Sequence, residues 1–253
     1  MKIAFIADLH GNYTATLAVE KALKKYKADK LICLGDIAGK GPSSDKTMDW
    51  ALANCDLIIG GNWDYGLGLK RYDADEFYWR QLGEKRLDIL RNLITEHHLD
   101  VMGLKIRLIH GRPVTKTLLQ SYASNDDFQA LLNFKYPTSD AEDGIQVKKF
   151  DIVAYGDTHR QLLRTLDNGH VFNCGSVGNA LGVTRACFAM LKIYKDKAYD
   201  ISLCSIPYDR EAAVEEARKA IGMPKMDVYI REILTGRYGR KTIDENTPEK
   251  III

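Results

Sequence analysis

No apolar run in the 253 residues approaches the roughly 18 needed to cross a bilayer. A membrane partner is therefore not expected. The amino terminus passes from Lys2 straight into an apolar segment, without the cleavage region of a signal peptide, which predicts a cytoplasmic protein. Net charge is low as well: at +2 it gives no electrostatic case for a nucleic-acid polymer or an anionic membrane as partner. The cysteines number only five, and Cys33, Cys55, Cys174, Cys187 and Cys204 are widely spaced and mostly inside apolar runs. That odd, scattered set argues for free thiols in a reducing compartment and against a disulfide framework or a zinc–thiolate site. Internal repeats and low-complexity linkers are also missing. The 45% hydrophobic and 28% charged content is that of an ordinary globular protein, long enough for one large domain.

What the chain has is a series of short apolar runs with polar ends. Ile3 to Ala7 is continuous, as suits a strand buried on both faces. Asp8, His10 and Gly11 follow at its carboxyl end, where ligands bind in open α/β sheets. Taken alone, Asp8 and His10 read either as a metal site or catalytic pair, or as an N-cap aspartate with a surface histidine. Leu17, Ala18, Ala22, Leu23 and Tyr26 then recur at helical spacing, behind a cap at Asn12 or Thr14. Leu31 to Leu34 runs into Gly35-Asp36, and a helix opening at Pro42 and Ser43 or Ser44 reaches about Asn54. Leu57 to Ile59 runs into Gly60-Gly61-Asn62-Trp63-Asp64. The alternation predicts a largely parallel first half.

The spacing of Phe77, Trp79, Leu82, Leu87, Leu90 and Leu93 predicts a helix within 72–96, broken near Gly83, that could act as a lid. His97 and His98 fall at the surface, between that helix and the next strand. Lys105 to Ile109 is a strand ending in His110-Gly111-Arg112-Pro113. A short helix is expected over 126–132, and the polar stretch 134–150 takes no assignment. Ile152 to Ala154 ends in Tyr155-Gly156-Asp157-Thr158-His159. Beyond it, 162–166 and 170–173 flank Asp167-Asn168-Gly169, a hairpin signal, and 186–194 and 198–206 flank a second turn. The second half therefore reads as antiparallel, and the fold class as α/β (α+β). A helix over 210–221 follows. One domain is expected over 1–235, with a flexible polar tail over 236–253.

Five separate runs thus end in residues able to hold a metal: Asp8 with His10, Asp36, Asn62, His110, and Asp157 with His159. Each lies near a glycine, as expected where backbone bends tightly or approaches a ligand. A lone histidine at a strand end is usually structural, and a lone Gly-Asp is usually a turn. Five such endings, all at carboxyl ends, point to a shared site. Mixed Asp, His and Asn ligands suit Mn²⁺, Fe²⁺ or Zn²⁺ better than Ca²⁺, with Ni²⁺ also admissible. Seven side chains are too many for one open-sited ion, but suit two cations roughly 3.5–4 Å apart sharing a carboxylate.

The ordered set Asp-x-His, Gly-Asp, Gly-Asn-x-Asp, His-Gly and Gly-x-Thr-His resembles the calcineurin-like metallophosphoesterases. Asn173-Cys174-Gly175-Ser176-Val177-Gly178 is similar to the Asn-Pro-Gly-Ser-Val-Gly segment of the family's small prokaryotic members. The likeness extends to about Ile206, and a narrower one is to small bacterial phosphodiesterases that include an asymmetrical dinucleoside tetraphosphate hydrolase. The resemblance implies a four-layer αββα sandwich of two mixed sheets, with metals at the strand ends between the layers. It implies that Asp8, His10 and His159 hold one divalent transition-metal ion, that Asn62, His110 and Asp157 hold a second, and that Asp36 bridges both.

Two departures stand out. Trp63 replaces the histidine of Gly-Asn-His-Asp, which removes a residue assigned to leaving-group protonation or phosphate contact. Losing a general acid forfeits about 10²–10⁴ in rate, least for leaving groups that are already good anions. Trp63 could stack on a nucleobase or pack in the core. Asp157 replaces the first histidine of Gly-His-x-His, which favours Mn²⁺ or Fe²⁺ over Zn²⁺. Arg112, Arg160 and Lys40 are candidates for phosphate contact or solvated surface charges, and Asp64 could orient His110 or another ligand. The expected activity is hydrolysis of phosphodiesters or nucleoside polyphosphates by a metal-bridging hydroxide, on a small phosphorylated substrate. The alternatives are a small-molecule phosphomonoesterase, a protein phosphatase, or a non-catalytic scaffold of the same fold, as in a retromer subunit. A protein phosphatase is disfavoured because Asp36 is followed by Ile-Ala-Gly-Lys-Gly instead of Asp-Arg-Gly. An oligomer is possible.

Overall fold

The computed structural model describes residues 1–137 and 145–240. In the first sheet, β1 (Lys2–Ile6), β2 (Lys30–Cys33) and β3 (Leu57–Ile58) run parallel, and β11 (Ala186–Ile193) and β12 (Tyr199–Ile206) extend it antiparallel, in the order β12-β11-β1-β2-β3. The second sheet has the order β4-β5-β8-β10-β9. Its parallel centre is β5 (Leu104–Ile109), β8 (Ile152–Tyr155) and β10 (Gly169–Cys174), and antiparallel β4 (Glu96–Val101) and β9 (Gln161–Leu166) form its edges.

Strand β1 shows why the sheets stack. Its side chains alternate between faces, and both faces are apolar. Ile3 and Phe5 enter a core with Ile106, Leu108, Ile152 and Phe172 of the second sheet, and the Phe5 ring meets Phe172 edge-on at 5.3 Å. Ala4 and Ile6 point the other way, into a core with Ala15, Val19 and Leu23 of α1 (Tyr13–Tyr26). Each fully buried large side chain contributes roughly 1.5–3 kcal/mol. On the far face, Val153 and Val171 pack under Phe128 and Leu132 of α5 (Asn125–Leu132). Helix, sheet, sheet and helix thus form four layers, as the resemblance implied. No helix among the described residues is long and apolar enough to cross a membrane.

Helices α2 (Ser44–Asn54) and α3 (Asn62–Gly68) follow β2 and β3. Asn12 is the α1 cap: its side chain accepts from Ala15 N at 3.0 Å, and its Nδ2 donates to Gly178 O at 2.8 Å. The second bond draws the Asn173–Gly178 segment onto the helix start, where a Cβ at Gly178 would overlap the Leu9 carbonyl.

The helix expected within 72–96 is α4 (Glu76–Arg91), broken at Gly83 as the sequence indicated and preceded by a short 3-10 turn, with Tyr78, Leu82, Leu87 and Leu90 buried. Several expectations change. His97 and His98 are not in a connector but within β4, where His98 Nε2 lies 2.6 Å from Glu96 Oε1. The unassigned 134–150 stretch contains an antiparallel ribbon of β6 (Asn133–Pro137) and β7 (Ile145–Lys149). After α6 (Arg210–Lys219) comes a further helix, α7 (Met226–Thr235), that the sequence reading did not anticipate. The tail is not free at its start: Arg240 is buried, with its Nε 3.2 Å from Glu232 Oε2. Its remainder, 241–253, lies outside the described residues.

Candidate metal centre

The loops after β1 and β2 continue to pair beyond the strands, with Asp8 N donating to Gly35 O at 2.8 Å and His10 N to Asp36 O at 3.1 Å. From the other sheet, Gly156 N donates to His110 O at 2.7 Å. The strand ends of the two sheets face one another: His110 Nδ1, after β5, meets the Leu34 carbonyl, after β2, at 2.6 Å. Among the described residues, eleven non-glycine residues have positive φ, and six of them are Asp8, His10, Asp36, Lys40, Asp157 and His159. Backbone in this region costs of order 1–3 kcal/mol per residue and persists where the surroundings impose it. Here it turns the side chains inward.

Three histidines converge in one way. Nδ1 of His10 faces the Ala38 carbonyl at 3.2 Å, that of His110 the Leu34 carbonyl at 2.6 Å, and that of His159 the Asn179 carbonyl at 2.6 Å. A carbonyl only accepts, so each Nδ1 carries hydrogen and each Nε2 is turned to the centre. Around Asp8 Oδ1, His159 Nε2 lies at 3.3 Å, His10 Nε2 at 3.7 Å and His110 Nε2 at 3.8 Å. Asp36 Oδ2 lies 3.4 Å from His110 Nε2 and 3.5 Å from His10 Nε2. Among the described residues, two groups could hold a metal ion: Asp8, His10 and His159, and Asp8, Asp36 and His110. Asp8 is common to both, and Asp36 Oδ2 lies within 3.5 Å of a histidine from each.

The charge state fits cation binding. Burial keeps His10 and His159 neutral, helped by the Lys40 ammonium, and their Nε2 atoms face each other at 3.1 Å. Two lone pairs so placed repel unless a positive group lies against them, and here the Lys40 ammonium lies 3.0 Å from His159 Nε2. Burial would also lower His110, but the Asp36, Asp8 and Asp157 carboxylates outweigh it and raise it to about 10. Burial pushes Asp8 well above the carboxylate range, with His110 opposing and Asp36 adding to the rise. Both Asp8 oxygens, Asn62 Oδ1 and His110 Nε2 are buried without a hydrogen-bond partner among the described residues. Unpaired buried carboxylates cost several kcal/mol each, which divalent cations would offset.

The remaining candidates fall out differently. Asp157 lies 4.0 Å from His110 Nε2, and both its oxygens are taken by Arg112: Nη2 to Oδ1 at 2.6 Å, Nε to Oδ2 at 2.9 Å. Burial would raise Asp157, but that guanidinium holds it below its ordinary value. Arg112, its side chain 41% exposed, thus neutralises a ligand candidate through two of its nitrogens. Asp64 does not touch His110. It accepts from the backbone N–H groups of Asp36 at 2.8 Å, Ile37 at 3.0 Å and Gly61 at 3.0 Å, orienting the Asp36 loop, and burial with the nearby Asp36 charge raises it to about 7. The Trp63 ring packs edge-on against His10 at 5.7 Å and Tyr78 at 6.5 Å, while the backbone N–H of Trp63 donates to Asp36 Oδ1 at 2.9 Å. These contacts favour packing over base stacking. Arg160 is exposed, its guanidinium against Gly182. Lys40 is buried, with Nζ 3.0 Å from His159 Nε2, and burial together with Arg240 lowers it to about 8.

Sequence reading missed Asn179, Glu232 and Arg240. Glu232 Oε2 accepts from Asn179 Nδ2 at 3.0 Å and from Arg240 Nε at 3.2 Å, and the Asn179 carbonyl holds His159. One signal was available: Glu232 sits between Tyr229 and Ile233 on the buried stripe of α7, an acid where an apolar residue is expected. An open pocket of about 250 Å³ lies beside Asn62, lined by Tyr65, Leu69, Arg71, Thr95 and Pro113.

An uncharacterized protein of Methanocaldococcus jannaschii is 27% identical over 239 residues, which cover 86% of this chain and 92% of that protein. The crystal structure of a metallophosphoesterase from Sphaerobacter thermophilus matches with a TM-score of 0.69 at 21% identity, over 93% of this chain and 99% of that one. A hypothetical protein from Pyrococcus horikoshii OT3 matches at 0.73 and 17% identity, over 94% and 99%. These two likenesses bear on the fold. The calcineurin-like phosphoesterase superfamily domain matches residues 1–196, most of the chain, which carry every strand-end ligand candidate: the chain belongs to that superfamily.

Proposed function

We propose that this protein is a dinuclear metal-dependent hydrolase of phosphodiesters or nucleoside polyphosphates, acting within one domain over 1–235 in the cytoplasm. The observation that carries the reading is the convergence of three backbone-anchored histidines on Asp8 and Asp36, with the His10 and His159 lone pairs facing at 3.1 Å. Asp8, His10 and His159 would hold one cation, and Asp36, Asn62, His110 and Asp157 the other, with Asp8 and Asp36 between them. The oxygen-rich second set favours manganese or iron. Bound cations there would neutralise an anionic ester and make water a nucleophile near neutral pH.

The chain's own residues would do the rest. The Nδ1 bonds fix each imidazole, Arg112 holds Asp157, and Asp64 holds the Asp36 loop. Trp63 walls the site beside His10 and supplies no proton, so substrates whose leaving groups are good anions suit it best. The pocket beside Asn62 has apolar walls at Tyr65, Leu69 and Pro113 and a cation at Arg71, which suits the organic part of a phosphate ester. The test is metal analysis of the purified protein, with hydrolysis of bis-p-nitrophenyl phosphate against p-nitrophenyl phosphate. Bound manganese or iron and faster diester cleavage are expected. Preference for the monoester would indicate a phosphomonoesterase, and metal uptake without turnover on either would indicate a scaffold.

A further inference from the structure

Two buried cations of this chain have no place in holding metal. Lys40 comes from the loop after β2, with φ 58°, and is 6% exposed. Its Nζ lies 3.0 Å from His159 Nε2 and 5.4 Å from the Trp63 ring centroid. A cation held by His159 would claim the same lone pair and free this ammonium. Arg240, just beyond α7, is 9% exposed. Its Nε is paired with Glu232, while its Nη2 is buried without a partner among the described residues.

One chain of contacts joins the two: Lys40 Nζ meets His159 Nε2 at 3.0 Å, His159 Nδ1 meets the Asn179 carbonyl at 2.6 Å, and Asn179 Nδ2 and Arg240 Nε meet the same Glu232 oxygen at 3.0 and 3.2 Å. The buried hydroxyls of Tyr78 and Tyr229, also without partners, feel the same guanidinium. Among the described residues Glu232 is the carboxylate paired with Arg240, and Asn179 and Gly239 share it. Asp8 and Asp36 also attract Lys40, but they face the metal-binding histidines. Among the described residues, this leaves an unused guanidinium N–H of Arg240 on the same network as the Lys40 ammonium, beside the cluster. A guanidinium edge matches phosphate oxygens, and an ammonium adds a point charge.

We propose that Lys40 and Arg240 form a second anion subsite beside the metal cluster, which receives the neighbouring phosphate of a phosphoanhydride substrate. The inference rests on the phosphoesterase reading and narrows it from simple diesters to polyphosphates. A diester carries a single negative charge that the cluster alone can balance, whereas a polyphosphate brings further charge to be met.

The test is calorimetric titration of manganese-loaded protein with inorganic pyrophosphate and with orthophosphate, for the wild type, Arg240→Gln and Arg240→Lys, with thermal unfolding of each. A charge-assisted bond corresponds to roughly 10–100-fold in affinity. The wild type is expected to favour pyrophosphate by at least about tenfold, Arg240→Gln to bring that ratio within about threefold, and Arg240→Lys to restore part of it. An unchanged ratio in Arg240→Gln overturns the subsite. So does an equal loss of both anions with a lower unfolding temperature, since Arg240 would then only brace Glu232. Failure to hydrolyse bis-p-nitrophenyl phosphate would instead overturn the phosphoesterase reading, and the pyrophosphate ratio would still decide the subsite.

Discussion

Glu232→Ala is the sharpest test of how the carboxyl-terminal helix supports the site. Glu232 is 1% exposed and accepts from Arg240 Nε at 3.2 Å, Asn179 Nδ2 at 3.0 Å and Gly239 N at 3.0 Å. Alanine strands a buried guanidinium, an amide and a backbone N–H together. Removing one partner of a buried ion pair costs about 3–5 kcal/mol, because the other charge stays desolvated. At about 2–4 °C per kcal/mol for a chain this long, the unfolding temperature should fall by roughly 6–20 °C. Adding Arg240→Met removes the stranded charge and should recover half or more of the loss. Thermal and urea unfolding in chelator measure both variants without any contribution from metal. A Glu232→Ala protein within about 1 kcal/mol of wild type, or a double variant whose losses simply add, would refute the argument. The same variant loosens Asn179, whose carbonyl orients His159, and metal affinity should drop about 10–100-fold.

Asp36→Asn should abolish turnover while leaving circular dichroism and the metal-free unfolding temperature near wild type; near-normal activity would remove Asp36 from the centre. Trp63→Ala should cost about 2–4 kcal/mol through lost packing on His10 and Tyr78, and should slow nucleotide and p-nitrophenyl substrates alike; selective loss with nucleotides would restore base stacking. His110, raised to about 10 by the carboxylates against the effect of burial, is protonated at pH 7 in metal-free protein, and a cation at Nε2 must displace that proton. Apparent metal affinity should therefore rise with pH, by up to about tenfold per unit between pH 7 and 9, with proton release visible by calorimetry in two buffers; a flat profile would count against His110 as a ligand.

The strand-end residues were legible because parallel strands buried on both faces are continuous apolar runs, so a charged residue after one is conspicuous. Ile3–Ala7 before Asp8 and Ile152–Ala154 before Asp157 are of this kind. Strand β4 was not legible: Glu-His-His-Leu-Asp-Val at a sheet edge is mostly polar and follows a helix without a breaker. Lys40 read as a phosphate contact or a surface charge, and Glu232 went unread, because their partners His159 and Asn179 lie 119 and 53 residues away. Arg112 and Asp157, 45 residues apart, pair through the ends of β5 and β8, which no local pattern announces.

The ligand candidates are divided between the two sheets: Asp8, His10, Asp36 and Asn62 after strands of one, His110, Asp157 and His159 after strands of the other. Each of the two metal-capable groups among the described residues draws on both sheets, so neither is complete until both have docked. Once loaded, the ion acts as a rivet across the sandwich, resisting any opening that separates the sheets. At a hundredfold excess over its dissociation constant, one such ion adds about 2.7 kcal/mol to stability. Metal starvation would thus expose the protein to unfolding and degradation as well as silence it.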